Sequence, residues 1–183
     1  MKPLYLLYRW QLLIMKKSPQ SDKSKLRVRT AAPSDHAAIM AVMPDWWGGR
    51  DIRASLPKVF LMHFWNTSFI LENDRGEMIG FLIGFLSPAN NKEAYIHFCG
   101  IHPDYRKQGL GQMLFQRFYE VCRKNGRTIV RSCTSPVNKG SIAFHQRMGF
   151  SIEPGDGVID GTPVTLDYNR PGDPKVLFVK HLV

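Results

Sequence analysis

The sequence is poor in the residues that mark several common protein classes. It holds three cysteines, Cys99, Cys122 and Cys133, which form no C-x-x-C pair and leave an odd one over. That pattern argues against a disulfide framework and against a zinc knuckle, so a reducing, cytoplasmic setting is expected, with no metal site. Long apolar runs are missing too. The apolar stretch near the N-terminus, PLYLLYRWQLLIM, is interrupted by Arg9 and falls short of the roughly 18 unbroken apolar residues of a membrane span. No membrane partner is therefore expected. Arg9 and Gln11 also break the core that a signal peptide needs, and no small-residue cleavage site follows.

Acidic residues are scarce as well: 15 Asp and Glu face 25 Lys and Arg, a net charge of +10. The excess is concentrated, with +7 in residues 1–30 and +5 in residues 103–131, against −2 in residues 31–102 and none in the remainder. The internal stretch coincides with the anion site argued below, so a general nucleic-acid surface is not needed to explain the charge. Residues 1–25 read as an extension that is either disordered or precedes the true start, since Met15 opens the polar leader MKKSPQSDKSK. Residues 26–183 read as one domain: 44% hydrophobic content in 183 residues suffices for one core.

Leu26 to Thr30 alternates apolar and basic residues like a half-buried strand, and Pro33-Ser34-Asp35 offers cap chemistry for a helix to about Met43. Asp51 to about Phe64 carries apolar residues at helical spacing. Ser68 to Glu72, a turn at Asn73 to Gly76, and Met78 to Leu86 predict a hairpin, followed by a strand from Ala94 to Ile101. A helical stripe from Leu110 to Cys122 ends at Asn125-Gly126. Then come a strand from Thr128 to Cys133, a helix from Asn138 to Met148, a strand from Phe150 to Glu153, a loop or hairpin arm over 154–174, and a strand from Val176 to His181. The order is mixed α/β, antiparallel in front and alternating behind.

The most informative segment is Tyr95 to Leu114, YIHFCGIHPDYRKQGLGQML: a strand, a glycine-containing loop and a helix start. Gly109 and Gly111 let backbone approach a ligand, the N–H groups of the helix N-terminus point outward, and the helix dipole favours negative charge there. Arg106 and Lys107 add full charges. A pyrophosphate suits such a loop. Neither nucleotide fingerprint is present, because G-x-x-x-x-G-K-[ST] is absent and G-x-G-x-x-G would need a glycine where Leu114 stands. What the chain has is R-x-x-G-x-G, filled by Arg106, Gly109 and Gly111 after His102-Pro103. A second pattern, N-x-x-[AS]-x-x-[FL]-[YH]-x-x-x-G-F, is filled by Asn138, Ser141, Phe144, His145, Gly149 and Phe150.

In these two motifs, their order and their spacing, residues 26–183 resemble the GNAT acyltransferase superfamily. The resemblance implies a mixed α/β fold, with a mostly antiparallel twisted sheet of about six to seven strands, a splayed pair and about four flanking helices. It also implies acetyl-coenzyme A as cofactor, with the loop residues Arg106, Lys107, Gln108, Gly109, Leu110, Gly111 and Gln112 holding its pyrophosphate. Its pantothenate arm would lie beside Cys99, Gly100 and Ile101, where Gly100 suits a bulge and the backbones of Cys99 and Ile101 would pair with ligand amides. Asn138, Ser141 and Phe144 would contribute from the second motif, Asn138 by fixing a cofactor amide or by capping the helix. Trp46, Trp47, Arg50 and Asp51 lie where similar proteins build the acceptor pocket, and Asp156, Asp160 and Asp167 could attract a cationic amine.

The implied reaction moves an acetyl group directly to a primary amine of a small molecule or peptide within a ternary complex. Such transfer needs a base and a proton donor for the leaving thiolate. Strand alternation puts Tyr95, His97, Cys99 and Ile101 on one face. Similar enzymes often place a Glu here, yet residues 94–103 hold no carboxylate. The base is then His97, Tyr95 through a water chain, or a residue from another loop. Where many family members carry a Tyr over the thioester sulfur, this chain has His145, either as proton donor or in helix packing or cofactor contact. The cysteines are poor nucleophile candidates on buried-looking elements. A coenzyme A sensor without turnover and a basic nucleic-acid binder are the competing classes, and a homodimer is compatible with the sequence.

Overall fold

The Met78 to Leu86 run is apolar almost throughout because it becomes the middle of a sheet with both faces covered. In the computed structural model, which describes residues 22–182, the order is β1 (Arg27–Thr30), α1 (Asp35–Trp46), α2 (Val59–His63), β2 (Phe69–Glu72), β3 (Met78–Leu86), β4 (Glu93–Ile101), α3 (Leu110–Lys124), β5 (Ile129–Thr134), α4 (Lys139–Arg147), β6 (Ser151–Ile152), β7 (Gly157–Ile159), β8 (Thr162–Val164) and β9 (Val176–His181). Seven strands form one sheet, β1-β2-β3-β4-β5-β9-β6, antiparallel at every step except β4 to β5. β7 and β8 make a separate hairpin in the 154–174 arm. Of the N-terminal extension, only residues 22–25 are described, and Lys23–Lys25 forms a 3-10 turn there. The expectations for residues 1–21 lie outside the described residues.

Two clusters fill the faces of the sheet. Under α3 and α4 lie Leu82, Ile96, Leu114, Phe115, Phe118, Val130 and Phe178, all nearly inaccessible. Each such side chain contributes about 1.5–3 kcal/mol through burial. The apolar stripe of α3 is therefore what holds its N-terminus beside the end of β4. The other face packs Ile39, Met43, Trp46, Leu56, Leu61, Ile70, Phe81 and Ile83, from α1, the segment after it, β2 and β3.

Two helix expectations need correction. α1 continues past Met43 through Pro44 to Trp46, because the burial of Met43 and Trp46 outweighs the one hydrogen bond that proline removes. The helix expected over Asp51 to Phe64 is instead a 3-10 turn at Arg53–Ser55, the five-residue α2, and another 3-10 turn at Trp65–Thr67. Pro57 breaks it, since the residue before a proline is pushed out of helical geometry; Leu56 sits at φ −125°, ψ 71°.

Candidate active site

β4 and β5 pair in parallel from Glu93↔Ile129 to Ile96↔Ser132 and no further, although β4 runs on to Ile101 and β5 to Thr134. The pair splays at that point. β4 also carries an extra residue there: Ile96 faces Gly84 and Phe98 faces Ile83, so the bulge is His97 rather than Gly100. A bulge shifts the side-chain alternation by one. Consequently Tyr95 stacks on its β3 partner Phe85 and His97 on Phe60 of α2, while Cys99 and Ile101 pack against the α3 cluster. The four residues do not share one face, which corrects the strict alternation read from the sequence.

Backbone directions follow from register. His102 N–H bonds to the Ile79 carbonyl at 2.9 Å. Counting back in twos, Gly100 and Phe98 also pair with β3, and the peptide groups of Cys99 and Ile101 turn toward the gap beside β5. The Arg106 guanidinium takes the Ile101 carbonyl at 3.0 Å and also bonds to the Trp46 carbonyl. Arg106 thus ties the strand end to α1 instead of pointing its charge into the loop. Gly100 pairs with Phe81; a Cβ there would meet Trp47 at 2.7 Å and Phe81 at 3.0 Å. Its missing side chain makes room for these rings, not for a ligand.

The loop itself is built for N–H exposure. Lys107 (φ 61°) and Gly109 (φ 81°) are left-handed, and Gly109 caps α3 without a side chain of its own. A helix leaves its first N–H groups without internal partners, which here are those of Leu110, Gly111 and Gln112. Gln108 reaches back to the Asp104 carbonyl through its side-chain amide. Gly111 has a packing duty: a Cβ would come within 3.1 Å of Phe144, the residue through which α4 leans on α3. Asn138 caps α4, its Oδ1 accepting from Ser141 N–H at 3.2 Å.

His97 is held firmly. Its ring stacks on Phe60 at 3.9 Å and 7° between planes, and Nε2 lies 2.8 Å from the Ser55 carbonyl. A carbonyl only accepts, so Nε2 carries the proton, and in the neutral ring Nδ1 keeps its lone pair. Burial lowers the pKa of His97, with the Ser55 bond opposing. Tyr95 is poorer as a base, because burial, then its Cys133 and Tyr168 neighbours, push its phenol pKa up. His145 sits below the splay, 7% exposed and stacked on Phe178 at 4.4 Å. Its Nδ1 donates to the Ser141 carbonyl at 2.9 Å and Nε2 meets Ser132 Oγ at 3.2 Å; Ser132 Oγ also lies 3.0 Å from the Ile96 carbonyl. Burial lowers the His145 pKa as well. A neutral His145 offers Ser132 a lone pair and no proton, which makes it a positioning group for Ser132 rather than a direct proton donor. Ser132 is the polar group that sequence reasoning missed, though a serine two residues after Val130 on the buried face of β5 is a legible signal.

The cysteines carry no thiolate character: burial pushes Cys99 and Cys122 up to about 12, and raises Cys133. Trp46 is 4% exposed and stacks on Phe81, so it belongs to the core. Trp47 packs on Phe81 and Phe98, and Arg50, at the surface, donates to the Trp47 carbonyl. The loop carboxylates serve the arm: Asp156 and Asp167 accept backbone N–H groups of Leu166 and Gly172, and Asp160 pairs with Lys139. What the structure brings to His97 is an aromatic wall of Phe60, Phe64, Phe85, Tyr95 and Phe98. Among the described residues no group of three or more His, Cys, Asp and Glu could hold a metal, and no helix is long and apolar enough to cross a membrane.

A splayed parallel pair, a bulge at its apex and a helix N-terminus beyond it make a candidate cofactor cleft. Residues 37–150 match the Acetyltransferase (GNAT) family, and the chain belongs to that family. An uncharacterised N-acetyltransferase of Methanocaldococcus jannaschii is 35% identical over 79 residues, 41% of this chain and 35% of the relative. An L-2,4-diaminobutyric acid acetyltransferase of Nocardia farcinica is 31% identical over 81 residues, 44% of this chain and 42% of the relative. The matched part thus spans less than half the length of these two relatives. Among solved structures, Ard1 from Thermoplasma volcanium superposes with a TM-score of 0.69 at 18% identity, covering 87% of this chain and 99% of that one, a likeness of fold.

Proposed function

We propose that the chain is an N-acetyltransferase that takes acetyl-coenzyme A and passes the acetyl group directly to a primary amine. The observation that carries this is the stretch of β4 beyond Ile96 that β5 leaves unpaired, with the peptide groups of Cys99 and Ile101 facing the gap, leading into the N–H-rich start of α3. When bound, the cofactor supplies an activated thioester. The backbones of Cys99 and Ile101 would hold its amides as a neighbouring strand would, and residues 107–112 its pyrophosphate through N–H groups and the helix dipole. The Ser132 hydroxyl donates its one proton to the Ile96 carbonyl at 3.0 Å, so it braces the apex, and the sulfur departs as a thiolate that solvent protonates.

His97 is the base. Its Nδ1 lone pair is fixed by the Ser55 contact, and its lowered pKa keeps it unprotonated at neutral pH. High thiol pKa values at Cys99, Cys122 and Cys133 oppose an acyl-cysteine route and favour direct transfer. The family likeness leaves the acceptor open between a small amine, as the Nocardia relative's name states for that protein, and a peptide amino group. Thiol release from acetyl-coenzyme A, followed across small diamines, amino acids and peptides with intact-mass analysis, tests the reading. Release coupled to an acetylated amine, with no acetylated cysteine, is expected; binding without release on any amine overturns the catalytic part.

A further inference from the structure

Neither motif supplies Lys23, yet it stands at the loop. It opens the 3-10 turn that Asp22 caps: Asp22 Oδ1 accepts from Ser24 N–H at 3.1 Å and from the Ser24 hydroxyl at 2.7 Å, and Lys25 N–H bonds to the Asp22 carbonyl at 3.0 Å. Leu26, just after the turn, packs against the α3 core. Between these two anchors the turn carries the Lys23 ammonium to within 3.3 Å of where a Cβ on Gly109 would sit. Gly109 is the cap of α3, and the N-terminal end of such a helix bears partial positive charge. A cation there meets charge of its own sign. No ion pair among the described residues includes Lys23.

A cation and a helix N-terminus repel one another unless an anion lies between them, and the arrangement becomes favourable once a phosphate does. We propose that Lys23 is a further cofactor-binding residue, its ammonium holding the cofactor pyrophosphate against the N-terminus of α3 from outside the two family motifs. The proposal rests on the coenzyme reading of the loop. It gives the basic extension a function at the site, since ligand binding ties the segment before β1 to the domain. It also adds a full charge at the loop, where the Arg106 guanidinium is turned to the Ile101 and Trp46 carbonyls.

Calorimetric titration of the full chain and its Lys23→Ala, Lys23→Arg and Lys25→Ala variants tests this with three probes: acetyl-coenzyme A, its 3′-dephospho form, and acetyl-pantetheine, which has no phosphate. Lys23→Ala should weaken the first two about tenfold alike, as loss of one charge-assisted phosphate bond does, and leave acetyl-pantetheine unchanged. Lys23→Arg should stay within about threefold of the parent, and Lys25→Ala should match it. Acetyl-coenzyme A should also slow tryptic cleavage after Lys23. Unchanged acetyl-coenzyme A affinity in Lys23→Ala overturns the assignment, as does an equal loss on acetyl-pantetheine or a loss confined to the 3′-phosphorylated ligand. If the parent chain itself binds none of the three, the coenzyme reading falls rather than the role of Lys23.

Discussion

Gly100 offers a sharp test because two accounts of it differ in what they make measurable. Read from sequence, the glycine suits a bulge beside the cofactor's pantothenate arm; in the structure the space where its Cβ would sit is lined by Trp47 and Phe81. The Gly100→Ala methyl would lie 2.7 Å from Trp47 Cη2 and 3.0 Å from two Phe81 atoms. All three atoms belong to rings packed on the sheet, with Phe81 fully buried. Overpacking of this kind costs about 1–3 kcal/mol. Taking about 2 kcal/mol, the melting temperature of a domain this size should fall by about 4–8 °C. Trp47→Leu introduced beside Gly100→Ala removes the nearest clash, so the double variant should lose less stability than the two single losses added together. Thermal unfolding by circular dichroism, with acetyl-coenzyme A affinity measured in parallel, reads both accounts. An unchanged melting temperature with lost affinity would refute the packing account, and strictly additive losses would refute the Trp47 contact.

Other perturbations probe the chemistry. His97→Ala should lower kcat/KM at neutral pH by about a hundredfold, with affinity for acetyl-coenzyme A retained; parent-like rates would remove His97 as base. Because burial lowers the His97 pKa, the acid limb of the parent's kcat/KM profile should lie below about 6.5, the ordinary imidazole value, and a limb above it would contradict the assigned environment. His97 and His145 both have depressed folded pKa values, so the unfolded chain binds more protons as the pH falls through about 6.5. Their contribution to stability is therefore complete above that value and declines below it, so the melting temperature should fall between pH 7 and 5.5; a flat melting temperature over that range would contradict this.

The parts of the molecule legible in the sequence are those written in local patterns. The hairpin over residues 68–86, the helical stripe from Leu110 and the two glycine-bearing motifs were readable because alternation, helical period and left-handed positions leave marks on neighbouring residues. The break at Pro57 left a mark too, outweighed in the reading by the helical spacing around it. What the sequence hid is long-range. Nothing near His97 announces a bulge, since the extra residue exists only against Ile83 and Gly84 of another strand. Nothing near residue 60 announces a ring stacked on His97. Trp46 and Trp47 followed a helix whose length was set by the core beneath it, so aromatic residues that looked available for a substrate proved to be packing.

The central claim is that the gap beside β4 and the start of α3 hold acetyl-coenzyme A. Isothermal titration of acetyl-coenzyme A into the purified full chain tests it most directly. Saturable binding with one cofactor per chain is predicted, and the absence of any binding would contradict the account.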